Sequence, residues 1–420
     1  MMAAAETQGV KGDDNASPLE IKLALSGGGV RAAAFHLGVL RRLAAEGLLE
    51  RVTHLSTVSG GSLITAAIMS SCGMRWPGSA EFETEVFPRL QALLTSRDLF
   101  SLKAIGPWGF LRFHFRLLGH RASVLADLLQ SRWGVSGLVS ELPATPEWHI
   151  NTASLHSGKN WRFSAREMGD WVFGRHYSPS IRLASAAAAS AAVPYVIGAL
   201  KIELPGEGWY ETNPATKAAI KPRKPAARRI RLWDGGAYEN LGLEAIYKPG
   251  KPLSAPGFLI CSDASGPLPE YGQTSPFGIL KGKLAGPRLF DIASDQIRSL
   301  RSRMLMLDIE NKTVRGALLK MGASVRQVDI KVGRSRTARE YDAYQTDTEA
   351  GLALKHPTDL RAMTPAIFER IARHGFEVAD SVLTTHSPAV FTVSHGWPAS
   401  PSAPTTASSA TEPTAIATQE

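Results

Sequence analysis

The chain alternates short apolar runs with longer stretches in which apolar residues recur every three or four positions. Ile21-Lys22-Leu23-Ala24-Leu25 reads as a strand, Ser26-Gly27-Gly28-Gly29 as a turn, and Val30 to Glu46 as an amphipathic helix with Ala33, Leu37, Leu40 and Ala44 at helical spacing. Gly47 ends that helix. The same order of strand, sharp turn and helix returns at His54 to Ile68, with Ser59-Gly60-Gly61 at the corner. Further on, Ile230 to Asp234 is a strand with alternating side chains that runs into Gly235-Gly236. This rhythm predicts an α/β fold: a mostly parallel central sheet with helices on both faces, in three layers.

The three corners carry the candidate chemistry. A serine where a buried strand turns into a helix has its hydroxyl lifted clear of the backbone and backed by the positive end of the helix, as a nucleophile needs. Gly60 and Gly61 let the chain bend there without a Cβ clash. The hydrolase pattern G-x-S-x-G becomes Thr57-Val58-Ser59-Gly60-Gly61, with Thr in the first glycine position. A helix N-cap is the plainer alternative for Ser59. Gly27, Gly28 and Gly29 expose backbone N–H groups suited to an oxyanion hole, and Arg31 is placed to brace that loop or meet an anionic head group. Gly27-x-Gly29-x-x-Ala32 also fits a dinucleotide fingerprint. That motif needs an acid at the end of the next strand, where this chain has Ser56-Thr57-Val58-Ser59. A plain αβ turn is the third alternative. Asp234, at a strand end beside two glycines, is either a catalytic carboxylate or an Asx turn closing the strand.

Together, Gly27-Gly28-Gly29-Val30-Arg31, Val58-Ser59-Gly60-Gly61 and Asp234-Gly235-Gly236, in that order, resemble the patatin-like phospholipase family. The Ala-rich run from Ala184 to Pro194 resembles a further family block, and the similarity spans about residues 20–385. The resemblance implies a serine lipid acyl hydrolase of phospholipase A or lysophospholipase type, working through an acyl-enzyme and a Ser59/Asp234 dyad. Gly27, Gly28, Gly29 and Gly60 would bind the oxyanion, with Arg31, Gly61, Gly235 and Gly236 in support, and neither metal nor organic cofactor is expected. One rival is a Ser-Asp-His triad on an α/β-hydrolase fold, with Asp234 or Asp263 followed by His356, His374 or His386. His374, ahead of Gly375, reads as a helix-end residue, and His36 and His54 as loop supports. Another rival is a non-catalytic lipid or nucleotide binder on the same fold.

Charge and composition narrow the setting. A net charge of +9 suits an anionic surface, and no nucleic-acid motif accompanies it, so the expected partner is anionic phospholipid at a membrane surface. Cys72 and Cys261 lie far apart without metal-ligand spacing, which points to a reducing compartment. Residues 1–18 do not resemble a signal peptide, and the run from Ala184 to Leu200 is too weakly apolar to span a bilayer. A cytoplasmic protein that meets membranes peripherally is therefore expected. One catalytic domain should occupy residues 19–386, between disordered tails at 1–18 and 387–420. An insertion at about 97–133 interleaves Trp108, Phe110, Phe113, Phe115 and Trp133 with Arg112, Arg116, His120, Arg121 and Arg132, and either packs its aromatics on the domain with its charges in water or serves as an acyl/head-group boundary. In both cases it is placed to be a lid or substrate-entry element. Lys221 to Arg229 reads as an exposed basic loop. The helices from Asp291 to Leu307 and Pro365 to Leu383 read as cover for the sheet.

Overall fold

The computed structural model describes residues 19–99, 120–213, 218–268 and 285–398. Residues 100–119 of the aromatic and Arg-rich insertion, the tail at 1–18 and residues 399–420 of the other tail lie outside them. The apolar run Ile21–Leu25 forms β1, fully buried, and the glycine turn leads into α1 (Gly29–Ala45). Next come β2 (Val52–Thr57) and α2 (Gly60–Ser71), the second strand, turn and helix unit. Helices α3 (Phe87–Ser96) and α4 (Arg121–Trp133) precede a series of short strands: β3 (Glu147–Ser154), β4 (Asn160–Phe163), β5 (Glu167–Asp170) and β6 (Gly174–Tyr177). The Ala-rich run makes α5 (Leu183–Ser190), followed by β7 (Leu200–Glu203), β8 (Trp209–Thr212), β9 (Ala219–Arg223), β10 (Arg229–Asp234) and β11 (Phe258–Asp263). The long α6 (Ala285–Glu310), β12 (Gly316–Lys320) and α7 (Pro365–His386) complete the main elements.

The twelve strands among the described residues join one sheet, whose main path runs β12-β11-β1-β2-β3-β4-β5-β6-β8-β9. The first five of these are parallel and carry the expected α/β core. From β3 onward every described pairing is antiparallel, so the sheet is mixed rather than mostly parallel. Short strands of four or five residues can be joined directly by turns when they run antiparallel, without the crossover helices that a parallel sheet requires. The basic stretch from Lys221 starts in β9, an exposed edge strand, where Pro222 is tolerated because an edge leaves one side of the ladder unused.

Helix α1 is buried almost all the way round, not amphipathic as its spacing predicts, because α7 covers its other side. The two helices approach at glycines. A Cβ on Gly38 would lie 1.8 Å from the Ala372 carbonyl oxygen, and one on Gly375 would lie 2.1 Å from that of Phe35. His374 therefore sits inside α7, buried, and accepts a hydrogen bond from the Gly322 N–H at 2.8 Å instead of ending a helix. Buried Arg42 of α1 pairs with Asp380 of α7 and donates to the Val393 carbonyl at 2.8 Å. With Phe391 buried against Phe258, these bonds carry the packed chain past 386 to residue 398, beyond the expected start of the tail. Gly38→Ala should cost about 3 kcal/mol of stability, because backbone rather than a flexible side chain must move. An unchanged urea midpoint would show that the helices separate freely.

Candidate active site

The register of β3 positions the site. Along one edge, β2 runs parallel to its first half, ending with Thr57 opposite Ile150. On the same edge β10 runs antiparallel to its second half, ending with Asp234 opposite Thr152. The other edge belongs to β4. The C-terminal ends of β2 and β10 thus point at each other, two residues of β3 apart, about 7 Å at the strand rise.

Ser59 follows at the end of β2 with φ 49° and ψ −117°, a conformation that is costly for a residue with a Cβ. Its side chain makes no helix-capping bond, so the N-cap alternative fails. The turn is held from all sides. Val58 N–H donates to the Leu25 carbonyl at 3.0 Å, Gly61 N–H to the Ser26 carbonyl at 3.2 Å, and Ser59 N–H to the Ser190 hydroxyl at 3.0 Å. Thr57, the departure from the glycine pattern, needs no positive φ. It ends a regular strand, and its hydroxyl bonds Ser62 at 2.7 Å and accepts from the Trp148 indole at 2.9 Å.

The glycine loop lies against this corner. Gly28 and Gly29 have φ of 143° and 64°, and a Cβ on Gly60 would sit 2.3 Å from the Gly29 carbonyl oxygen. Gly27 donates its N–H to the Asn240 carbonyl at 3.0 Å and is thereby occupied. Among the described residues the N–H groups of Gly28, Gly29 and Gly60 have no acceptor, and Gly28 lines the cleft beside Ser59. Beneath the loop, buried His36 bonds the Ser26 carbonyl at 2.9 Å and the Ser262 hydroxyl at 2.8 Å, and burial lowers its pKa to about 4. Arg31, also buried, spends its guanidinium on the carbonyls of His356 at 2.7 Å and of Leu354 and Ala264, each at 3.3 Å. These bonds tie the first turn of α1 to the segments at 264 and 354–356.

Asp234 is buried, and one carboxylate oxygen accepts the Gly236 N–H at 2.7 Å. The Asx turn is therefore real, and it leaves the second oxygen free of that bond. Burial pushes the carboxyl up to about 7, with the bonded Gly236 N–H and the nearby Ser59 hydroxyl pulling it back. Gly235 is required by packing, since its Cβ would meet the Asn151 carbonyl oxygen at 2.5 Å.

Ser59, Asp234, Gly28 and Gly236 all line one open cleft of roughly 310 Å3, walled by Val193 and Pro194 on one side and by Phe290, Ser294 and Arg298 of α6 on another. No histidine is among its described lining residues. His36, His54 and His374 bond elsewhere, to Ser26 and Ser262, to Lys22, and to Gly322. Two supports escaped sequence reading. Ser190 links the Ser59 N–H, the Ser62 hydroxyl and the Asn151 carbonyl, and Asn240 ties the Gly27 loop to Ser265. Ser190 sits in the Ala-rich block, which also holds Ser185, and nothing in the sequence sets the one apart from the other.

The sequence pattern of the patatin-like phospholipase family matches residues 23–247, more than half of the chain. The chain belongs to that family. No match is found among curated proteins. Among solved structures it is similar to human GIVD cytosolic phospholipase A2, at 15% identity and a TM-score of 0.54, over 86% of this chain and 58% of that one. A weaker likeness is to VipD from Legionella pneumophila, at 13% identity and a TM-score of 0.33, over 88% and 68% of the two chains. The fold is thus that of a mixed α/β family member with a large helix-flanked sheet, and the chain spans less than two thirds of the human protein. Among the described residues no helix is long and apolar enough to cross a membrane.

A carboxyl raised to about 7 in the folded protein, against 3.8 ordinarily, binds a proton that the unfolded chain has already lost. Its contribution to stability is therefore complete below the unfolded value and falls away as pH rises to about 7. Asp234→Asn keeps an oxygen for Gly236, and should stabilise the protein above neutral pH by on the order of 3 kcal/mol. Thermal melts of both proteins across pH would check this. A variant no more stable at alkaline pH would contradict the strained carboxylate.

Proposed function

We propose that the chain is a lipid acyl hydrolase in which Ser59 is the nucleophile and Asp234 its base. The observation that carries this reading is a serine held in a costly backbone conformation beside a buried carboxyl whose pKa has been raised to about 7. A free serine hydroxyl attacks an ester poorly unless a neighbour takes its proton, and a base poised near the working pH does so best. Asp234 accepts that proton as Ser59 Oγ bonds to the ester carbonyl carbon. The oxyanion is held by the N–H groups of Gly28 and Gly29 with Gly60, and loss of one such donor typically costs ~3 kcal/mol of transition-state stabilisation. Collapse breaks the ester bond, the departing alcohol or lysolipid takes the proton from Asp234, and acyl-Ser59 remains. Water then attacks the acyl carbonyl, gives its proton to Asp234, and the fatty acid leaves as that proton returns to Ser59.

Family membership supports fatty-acyl esters of phospholipids as the substrate class, in a phospholipase A or lysophospholipase reaction. The net charge of +9 supports anionic lipid as the preferred surface. A triad finds no support in a cleft whose described lining holds no histidine. A pure binder would need neither the raised carboxyl nor the unpaired N–H groups.

Ser59→Ala and Asp234→Asn should each lower turnover of a short-chain ester by about 10³-fold or more, and the double variant little further, because the two groups act as one unit. Since Asp234 must be ionised to accept a proton, kcat should fall as pH drops below about 7. Near wild-type turnover in Asp234→Asn would sink the dyad. Gly28→Ala is a poor probe of the oxyanion hole, as its Cβ would lie 2.8 Å from the Ala264 carbonyl oxygen at a φ that disfavours it.

A further inference from the structure

Helix α6, which reads from its sequence as cover for the sheet, leaves a row of its apolar residues exposed. Its inner side brings Phe290, Ser294 and Arg298 to the cleft and packs Leu305 into the core. Leu289, Ile292, Leu300, Met304 and Leu307 instead expose between 43% and 66% of their surface. At about 100° per residue they fall on one face with the exposed Gln296 and Arg303, and between Leu289 and Leu307 no acidic residue shares it. The row is about 27 Å long at the helical rise. It begins at the cleft mouth, where Tyr195 stacks edge-on against Phe290 and where Tyr195 and Val196 are each 61% exposed. Single exposed apolar residues are ordinary on a protein surface, whereas a continuous row marks a surface that is covered in use.

We propose that this outward face of α6, with Tyr195 and Val196, docks the protein on a phospholipid layer and lays the cleft mouth against it. The proposal rests on the lipid acyl hydrolase reading for its occupant. One helix supplies both the cleft wall and the apolar row, so whatever covers the row also faces Ser59. A helix lying in a bilayer surface needs an apolar face sunk to the acyl boundary and cationic side chains that reach back to the phosphates, which Arg303 on this face and the net charge of +9 provide. The docking surface therefore belongs to α6 rather than to the basic strand β9, which is at the far end of the sheet path.

The test uses the full chain with vesicles of phosphatidylglycerol and phosphatidylcholine, read by sedimentation, and a water-soluble short-chain ester read in parallel. Wild type and Ser59→Ala should sediment alike. Combining Leu289→Ser, Leu300→Ser and Leu307→Ser should weaken vesicle binding about tenfold or more, with vesicle hydrolysis falling alongside, while soluble-ester turnover and circular dichroism stay unchanged. Vesicle binding equal to wild type would overturn the proposal, as would a wild type that does not bind. A variant that loses only self-association, seen by analytical ultracentrifugation, would assign the face to a second copy and overturn it too. Vesicle binding lost in the triple variant of a protein that hydrolyses no ester would support the docking face and contradict the hydrolase reading.

Discussion

The site depends on one edge of β3 being shared by two strands of opposite direction. β2 occupies its first half and β10 its second, and their C-terminal ends meet with only Ile150 to Thr152 between their last partners. A wholly parallel sheet cannot do this, because parallel strands end at the same side of the sheet rather than head to head. The change of direction at β3 thus places the Asp234 carboxyl beside the Ser59 hydroxyl. It also makes their separation a matter of ladder register, which side-chain packing on both faces holds fixed.

Around that register, the glycines act by what they leave out. Gly60 lets its turn touch the Gly29 backbone, Gly29 lets the glycine loop touch the backbone of Asp359, Gly61 lets α2 begin against β1, and Gly235 lets the acid strand end against Asn151. Such contacts leave little room for the corner at Ser59 to relax. The surrounding bonds to Leu25, Ser26 and Ser190 hold the positive φ in place. Burial has opposite consequences for the ionisable groups here: it keeps His36 neutral as a loop support and leaves Asp234 half-protonated near neutral pH.

Much of this was legible in the chain because the three motifs are local backbone demands. A turn that must admit a close contact shows itself as glycine, and Gly27 to Gly29, Ser59 to Gly61 and Asp234 to Gly236 lie where the sequence put them. The antiparallel half of the sheet was not legible, since strands as short as β4, β5 and β6 carry too few residues to set a period. Partners distant in sequence were equally hidden. Nothing near His374 announces that Gly375 packs on Phe35, and nothing near Ser190 announces that it holds Ser59. The sequence of α6 reads as cover for the sheet, whereas Leu289, Ile292, Leu300, Met304 and Leu307 are exposed, because periodicity does not say which face points inward.

The central claim is that Ser59 attacks and that Asp234 makes it able to. Peptide mapping by mass spectrometry after reaction with an acyl-chain fluorophosphonate reads both at once. A single adduct on Ser59 in the wild type, absent from folded Asp234→Asn treated alike, is the expected result. An adduct on another residue, or equally fast labelling of Ser59 in Asp234→Asn, would contradict it.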